Sequence, residues 1–320
     1  MPYQIVTSSP MDSEAYPRRA LPEGGVTDMW TARDGWPLRR FTLGSGVRGS
    51  LLFLGGRADM IEKYVEPIAF WAGQGWRVTS FDWRGQGGSG RLTARPHVGH
   101  IEDFGIWVRD LSRFVAEWQE STSGPHVIVA HSMGAHVLLR GLATRAVAVD
   151  AIVMTSPMLD IITHGVPLPL AQALAATLSA IGFGRVPIGP DQGASEKRFQ
   201  RLTHSRGHFE DEMWWRTHAP ELYVGPPSWR WLREAFLSCR FLEQPGLLER
   251  VQVPALILGT TADQLVDADA IERVAHRMPN ARLHIYGEEA AHEILRESDT
   301  VRMDALDRIT LFLNGAAPAA

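Results

Sequence analysis

Ser132 stands between two small residues, Ala130 and Gly134, directly after the apolar run Val127-Ile128-Val129 and before a helix-like stretch. A serine hydroxyl is a weak nucleophile at neutral pH. It needs a base within hydrogen-bond reach, and the base needs an orienting acid. A sharp strand-to-helix turn lifts such a serine clear of a sheet. The turn brings the residues two before and two after the serine together, so both must be small. The usual Gly-x-Ser-x-Gly reads here as Ala130-x-Ser132-x-Gly134, and alanine still meets the steric demand.

In that architecture the acid and then the histidine follow the serine, each in a loop after a late strand. Asp263 fits the acid: it follows the apolar strand 255–258 by the short loop Gly259-Thr260-Thr261-Ala262. Asp267 and Asp269 compete, but they lie where a helix begins and read as capping or first-turn charges. His292 fits the base, beyond the strand 283–286 and the loop 287–291. Of the twelve histidines, His284 is inside a strand, His276 inside a helix, and His204, His208 and His218 fall in a later insertion. His131 adjoins the nucleophile, and its side chain should point elsewhere. Only His292 has both the order and the loop. Acyl transfer also builds an oxyanion that needs preorganised donors. One is expected from the backbone N–H of Met133, at a helix N-terminus. The other is expected from the loop Gly55-Gly56-Arg57, as the Arg57 N–H. The Arg57 side chain is expected to pair with Glu62 or meet solvent.

Short apolar runs alternate with helical patterns, and these elements must hold the candidate residues. Strands are expected at 51–54, 78–81, 126–130, 151–155, 255–258 and 283–286. Helices are expected at 61–71, 101–118, 134–142 and 301–313. Strands separated by helices imply an α/β, mostly parallel, doubly wound sheet covered on both faces. The rhythm breaks after Pro157, in a region holding Trp214, Trp215, Trp229 and Trp231. Residues 158–242 therefore read as a helical cap inserted into a core of 30–157 and 243–314. Residues 1–29 read as a loose arm and 315–320 as a flexible tail.

Other chemistries find little support. The glycine-dense loop 82–90 lacks the Gly-Lys-Ser/Thr ending of a phosphate loop. No dinucleotide fingerprint lies between strand and helix, and no His/Cys cluster suggests zinc. No cofactor or metal is expected. A net charge of -4 without a basic stripe argues against nucleic acid. A single cysteine, Cys239, rules out an intrachain disulfide and allows the expected cytoplasmic location. The N-terminus shows no signal-peptide layout. Residues 165–184 carry no charged side chain, but Pro167, Pro169, Gly182, Gln172, Thr177 and Ser179 argue against a spanning helix. An apolar cap helix, touching a membrane surface transiently, accounts for them better.

Several stretches together resemble the α/β-hydrolases, within them the lysophospholipase and monoacylglycerol-lipase-like branch, which is related to serine aminopeptidase-like hydrolases. Leu54-Gly55-Gly56-Arg57 followed by Met60-Ile61-Glu62-Lys63-Tyr64 is similar to that branch's oxyanion loop and first helix. Phe81-Asp82-Trp83-Arg84-Gly85-Gln86-Gly87-Gly88-Ser89 resembles its Asp-x-Arg-Gly-x-Gly-x-Ser loop, and His131-Ser132-Met133-Gly134 its elbow. Ala290-Ala291-His292-Glu293-Ile294-Leu295-Arg296-Glu297 resembles its histidine segment, and Pro220-Glu221-Leu222 with Gly225-Pro226-Pro227-Ser228-Trp229 its cap. Gly55 departs from the branch, where a histidine often precedes the oxyanion glycine; how the loop is held stays open here. The resemblance implies an α/β-hydrolase fold and a serine hydrolase of carboxylic esters, with lysophospholipid or monoacylglycerol-like substrates. Catalytic roles carry over to Ser132, Asp263 and His292, and oxyanion roles to Arg57 and Met133 by position. Two alternatives stay open. One is an aminopeptidase or amidase, gripping a free amine through Glu210, Asp211 and Glu212 unless that run is simply solvated. The other is a ligand-binding homologue without turnover.

Overall fold

The computed structural model describes residues 18–319. Most of the segment read as an arm, and the last residue of the tail, lie outside them. The sheet opens with β1 (Val26–Thr31) and β2 (Pro37–Leu43), an antiparallel pair that the apolar pattern did not announce. The reason is exposure. Trp30 is the one buried side chain of β1, so no apolar run marks the strand.

The chain then alternates. β3 (Gly49–Leu54), α1 (Val65–Gly73) and β4 (Trp76–Phe81) are followed by α2 (Phe104–Ser121), β5 (His126–His131), α3 (Ser132–Ala143) and β6 (Ala151–Thr155). Four helices come before the next strand: α4 (Leu168–Leu178), α5 (Glu196–Leu202), α6 (Arg206–His218) and α7 (Trp229–Leu242). β7 (Ala255–Thr260), α8 (Ala268–Arg277), β8 (Ala281–Tyr286) and α9 (Asp299–Ala316) complete it. The strand order is β1-β2-β4-β3-β5-β6-β7-β8. β2 runs antiparallel to both neighbours, and every other pairing is parallel.

Alternation along each strand divides the core, because successive side chains point to opposite faces. Leu51, Phe53, Val127 and Val129 pack with Ile68 and Trp71 of α1 and with Leu306, Ile309 and Phe312 of α9. Leu52, Leu54, Ile128 and Ala130 face the other way, against Phe104 and Trp107 of α2, Val137 and Leu138 of α3, and Ile271 of α8. Each fully buried leucine, isoleucine or phenylalanine contributes about 1.5–3 kcal/mol. The strands leading to Ser132 are therefore firmly anchored. Asp103 caps α2, accepting from the Gly105 N–H at 2.7 Å, so the helix starts at Phe104 rather than at Ile101. Asp267 caps α8 in the same way.

The inserted helices lie over the sheet's carboxyl edge. α7 sends Trp231, Ala235 and Leu242 into the core beside α2 and α3. α4 is different: Leu170 and Leu174 remain exposed, as do Ile181 and Phe183 just beyond it. The helical path breaks at Gly182, whose φ of 97° lies in the left-handed region. No helix among the described residues is long and apolar enough to cross a membrane.

Candidate active site

β5 ends at His131 and α3 begins at Ser132, with no residue between them. The turn holds Ser132 at φ 50°, a strained value for a non-glycine residue that only surrounding packing can maintain. A Cβ on Gly134 would lie 2.4 Å from the Gly55 carbonyl oxygen and 2.8 Å from that of Leu54, so this position demands glycine. Ala130 pairs in register with Leu54 and Met154, and its methyl group is fully buried among them.

Three side chains from distant segments meet here. The Ser132 hydroxyl lies 3.0 Å from His292 Nε2. The Nδ1–H of His292 donates to Asp263 Oδ2 at 2.7 Å. Asp263 is itself fixed: its Oδ1 accepts from the Leu265 and Val266 N–H groups at 2.8 and 3.1 Å. The loop after β8 is pinned by the Thr260 hydroxyl, which donates to the Ala290 carbonyl at 2.7 Å. The Ala291 N–H donates to Glu297 at 2.8 Å. Burial opposes a charge on His292. The Asp263 carboxylate, with Glu293 and Asp59 behind it, outweighs burial and holds the imidazole above its ordinary pKa. His131 goes the other way. Burial, then the neighbouring His292, push it down to about 4, and its Nδ1 turns to Thr155, 3.2 Å from both oxygens.

The loop after β3 comes up against the serine. A Cβ on Gly56 would sit 3.0 Å from the Ser132 Cβ. With glycine at position 55, three other residues hold this loop. Asp59 accepts from the Gly56 N–H at 2.6 Å and from the Tyr64 hydroxyl at 3.0 Å. The Trp83 indole N–H donates to the Gly55 carbonyl at 2.8 Å. The Gln86 side chain accepts from the Ala58 N–H. Burial works against the Asp59 charge, but Lys63, 2.7 Å away, holds its pKa down to about 2. The Arg57 N–H finds no acceptor among the described residues. The Met133 N–H belongs to the first turn of α3, where helix donors are free.

The part that Asp59, Lys63, Trp83 and Gln86 play in holding this loop escaped the sequence reading, although the last three lie in stretches that carry the resemblance. The charged pair at 59 and 63, set one helical turn apart in an apolar stretch, was the available signal. Lys63 also bonds Glu293 at 2.5 Å and lies 3.3 Å from Glu212 on α6. Arg296 joins Glu293 and Glu212 from the other side, and Arg198 on α5 pairs with Glu212. Two expectations are corrected by these contacts. The Arg57 side chain neither pairs with Glu62 nor simply meets solvent. Arg39 holds Glu62, at 2.5 and 2.7 Å, and Arg57 instead donates to the Gly225 carbonyl of the insertion at 2.8 Å. Within the run 210–212, Asp211 and Glu212 are not solvated: both are buried, and Asp211 pairs with Arg18 and Arg19. Neither is left free to grip an amine.

A cavity of about 540 Å³ opens above Ser132 and His292, between sheet edge and insertion, with Ile161, Trp229, Leu232 and Phe236 in its wall. A hydroxyl bonded to an imidazole that is bonded to a carboxylate can pass its proton as the oxygen attacks a carbonyl.

Residues 45–299 match the family described as "Serine aminopeptidase, S33". The chain is 32% identical to "Lysophospholipase L2" of Escherichia coli over 323 aligned positions, covering 92% of each chain. It is 30% identical to "Probable lysophospholipase L2" of Haemophilus influenzae over 277 residues, 84% of this chain and 85% of the relative. Among solved structures, a soluble variant of monoglyceride lipase from Saccharomyces cerevisiae matches with a TM-score of 0.74 at 17% identity, covering 96% of this chain and 99% of that one. The monoacylglycerol lipase of Paleococcus ferrophilus matches with a TM-score of 0.69 at 21% identity, covering 87% and 99%. Likeness at such low identity speaks for the fold. The family match over most of the chain and the relatives at 30% and 32% identity mean that the chain belongs to the serine aminopeptidase family of α/β-hydrolases, in the lysophospholipase and monoacylglycerol-lipase-like branch, and is a hydrolase of carboxylic esters.

Proposed function

We propose that this chain cleaves a lipid-like ester, a lysophospholipid or monoacylglycerol, through an acyl-enzyme on Ser132. His292 takes the Ser132 proton as the oxygen attacks the ester carbonyl. Asp263 orients the imidazole and stabilises its charged form. The Met133 and Arg57 N–H groups receive the oxyanion. His292 then protonates the leaving alcohol, and water, activated by the same imidazole, releases the fatty acid. No step calls for a metal or cofactor. In this reading residues 158–242 act as the cap over a core of 30–157 and 243–314. The single cysteine, buried and unpaired, suits a cytoplasmic location.

One observation carries the reading: the hydrogen-bonded run Ser132–His292–Asp263 opens directly into a cavity whose accessible wall is mainly apolar. Such a wall accepts an acyl chain. Val166 and Leu174 belong both to that wall and to the exposed apolar face of the cap that continues over Leu170 and Ile181. This continuity supports a cap that rests on a membrane surface and draws its substrate from there. The test is product analysis on a panel of lysophospholipid, monoacylglycerol, short-chain ester and aminoacyl amide. Release of fatty acid from the first two, faster than from the short ester, is the expected result. Faster turnover of the aminoacyl amide than of any ester would overturn the assignment.

A further inference from the structure

The cavity wall is not uniformly apolar. Four cations line part of it: Arg57, Lys63, Arg198 and Arg201. Two are accounted for by the buried network. Lys63, Arg198 and Arg296 balance Asp59, Glu212 and Glu293, three charges against three. Arg57 and Arg201 are surplus. The one hydrogen bond from the Arg57 guanidinium goes to a neutral carbonyl, that of Gly225. Arg201 makes no ion pair among the described residues, and its Nε is buried without an acceptor. The Nη1 of Arg198 is likewise buried and without an acceptor, although the same guanidinium holds Glu212 through Nη2. Arg198 and Arg201 sit three residues apart on α5, so they share one face of that helix. Partly buried guanidinium groups are costly unless an anion answers them.

We propose that Arg57, Arg198 and Arg201 form a subsite for the phosphodiester of a lysophospholipid headgroup. The inference rests on the reading of the chain as a hydrolase of lipid esters and specifies which of the two lipid classes it takes. In a lysophospholipid only a glycerol backbone separates the ester carbonyl from the phosphate, so a single cavity serves both groups. Guanidinium forks match phosphate oxygens in pairs. Arg57 ties the two halves together. Its backbone N–H lies in the loop beside Ser132, while its side chain reaches the cap and the headgroup. The carboxylates that line the cavity do not repel the phosphate outright: Asp59 and Glu293 are neutralised by Lys63 and Arg296, and Asp191 by Arg216.

The test compares a lysophospholipid and a monoacylglycerol of the same acyl chain, with wild type, Arg201→Gln and Arg198→Gln. Wild type should prefer the lysophospholipid. Arg201→Gln should raise KM for the lysophospholipid by roughly tenfold, leave kcat near wild type, and leave monoacylglycerol hydrolysis unchanged. That last readout also certifies the fold of the variant. Arg198→Gln should move the same constant in the same direction. In Arg201→Gln, which breaks no ion pair among the described residues, a loss that is equal for both lipids, or absent for both, overturns the subsite while leaving the esterase reading intact. If neither lipid is cleaved by wild type, the underlying reading fails and the subsite with it. If inorganic phosphate inhibits monoacylglycerol hydrolysis while lysophospholipid is not preferred, the guanidinium groups hold free phosphate and the headgroup assignment is overturned.

Discussion

Below the cavity, buried side chains tie down the segments after β3, β5, β7 and β8. Asp263 accepts three, Asp59 accepts from a backbone N–H, a tyrosine and a lysine, and Ser132 is held at a strained φ by the loop pressed against it. Above the cavity, the insertion leaves more unanswered. Leu170, Leu174, Ile181 and Phe183 face outward, and guanidinium N–H groups on α5 lack acceptors. The reacting atoms are held by buried groups that bond one another. The side above keeps apolar side chains open to solvent and guanidinium N–H groups without acceptors among the described residues. Damage below the cavity should therefore strike kcat for every ester. Damage above it should depend on which ester is offered.

The largest effect belongs to Ser132→Ala. It removes the nucleophile and touches nothing in the insertion, so ester hydrolysis should fall by on the order of 10⁶-fold in a steady-state assay. Asp263→Asn should follow, with a loss of roughly 10⁴-fold in kcat, because the imidazole loses both its tautomer and its charge partner. This variant also sharpens the electrostatic account. The base works only when neutral, so kcat/KM must fall as pH drops through the His292 pKa. Asp263 outweighs burial and holds that pKa above the ordinary histidine value, so the acid limb of the wild-type profile should lie above it too. Removing the carboxylate charge leaves burial to dominate, and the limb should move to lower pH.

Asp59→Asn tests the loop. Its partners remain, but the charge that holds Lys63 and the Gly56 N–H is gone. A small displacement of the Arg57 N–H should cost about 10²-fold in kcat with little change in KM. The smallest effect is expected from Leu170→Gln combined with Ile181→Gln. Activity on vesicle-borne substrate should fall by about five- to tenfold. Activity on a dissolved short-chain ester should not change. If this double variant depressed the short ester as strongly as the vesicle substrate, the division between the two regions would be wrong.

What the sequence made legible follows the same division. Ser132, Asp263 and His292 could be read because chain order and strand-end loops constrain them, and the structure brings all three within hydrogen-bond distance. The central parallel strands β3, β5, β6 and β7 could be read because their burial on both faces leaves apolar runs. β1 could not, because it offers a single buried residue. The support of the loop after β3 was hidden for another reason. Asp59 with Lys63 and Glu293 with Arg296 are local pairs, but these pairs and Glu212 lie far apart along the chain, and only the fold brings them together. The Arg57 side chain was misplaced because its partner, the Gly225 carbonyl, is a backbone group with no residue signature. Asp211 and Glu212 looked solvated because three adjacent acids usually are; here cations from α5 and from residues 18, 19, 63 and 296 bury two of them.

The most direct test of the nucleophile is to treat the protein with a fluorophosphonate, follow ester hydrolysis, and map the adduct by peptide mass spectrometry. The account predicts one adduct, on Ser132, rising in step with the loss of activity and absent from Ser132→Ala. Hydrolysis that persists with Ser132 fully modified, or a Ser132→Ala protein that turns over at the wild-type rate, would contradict it.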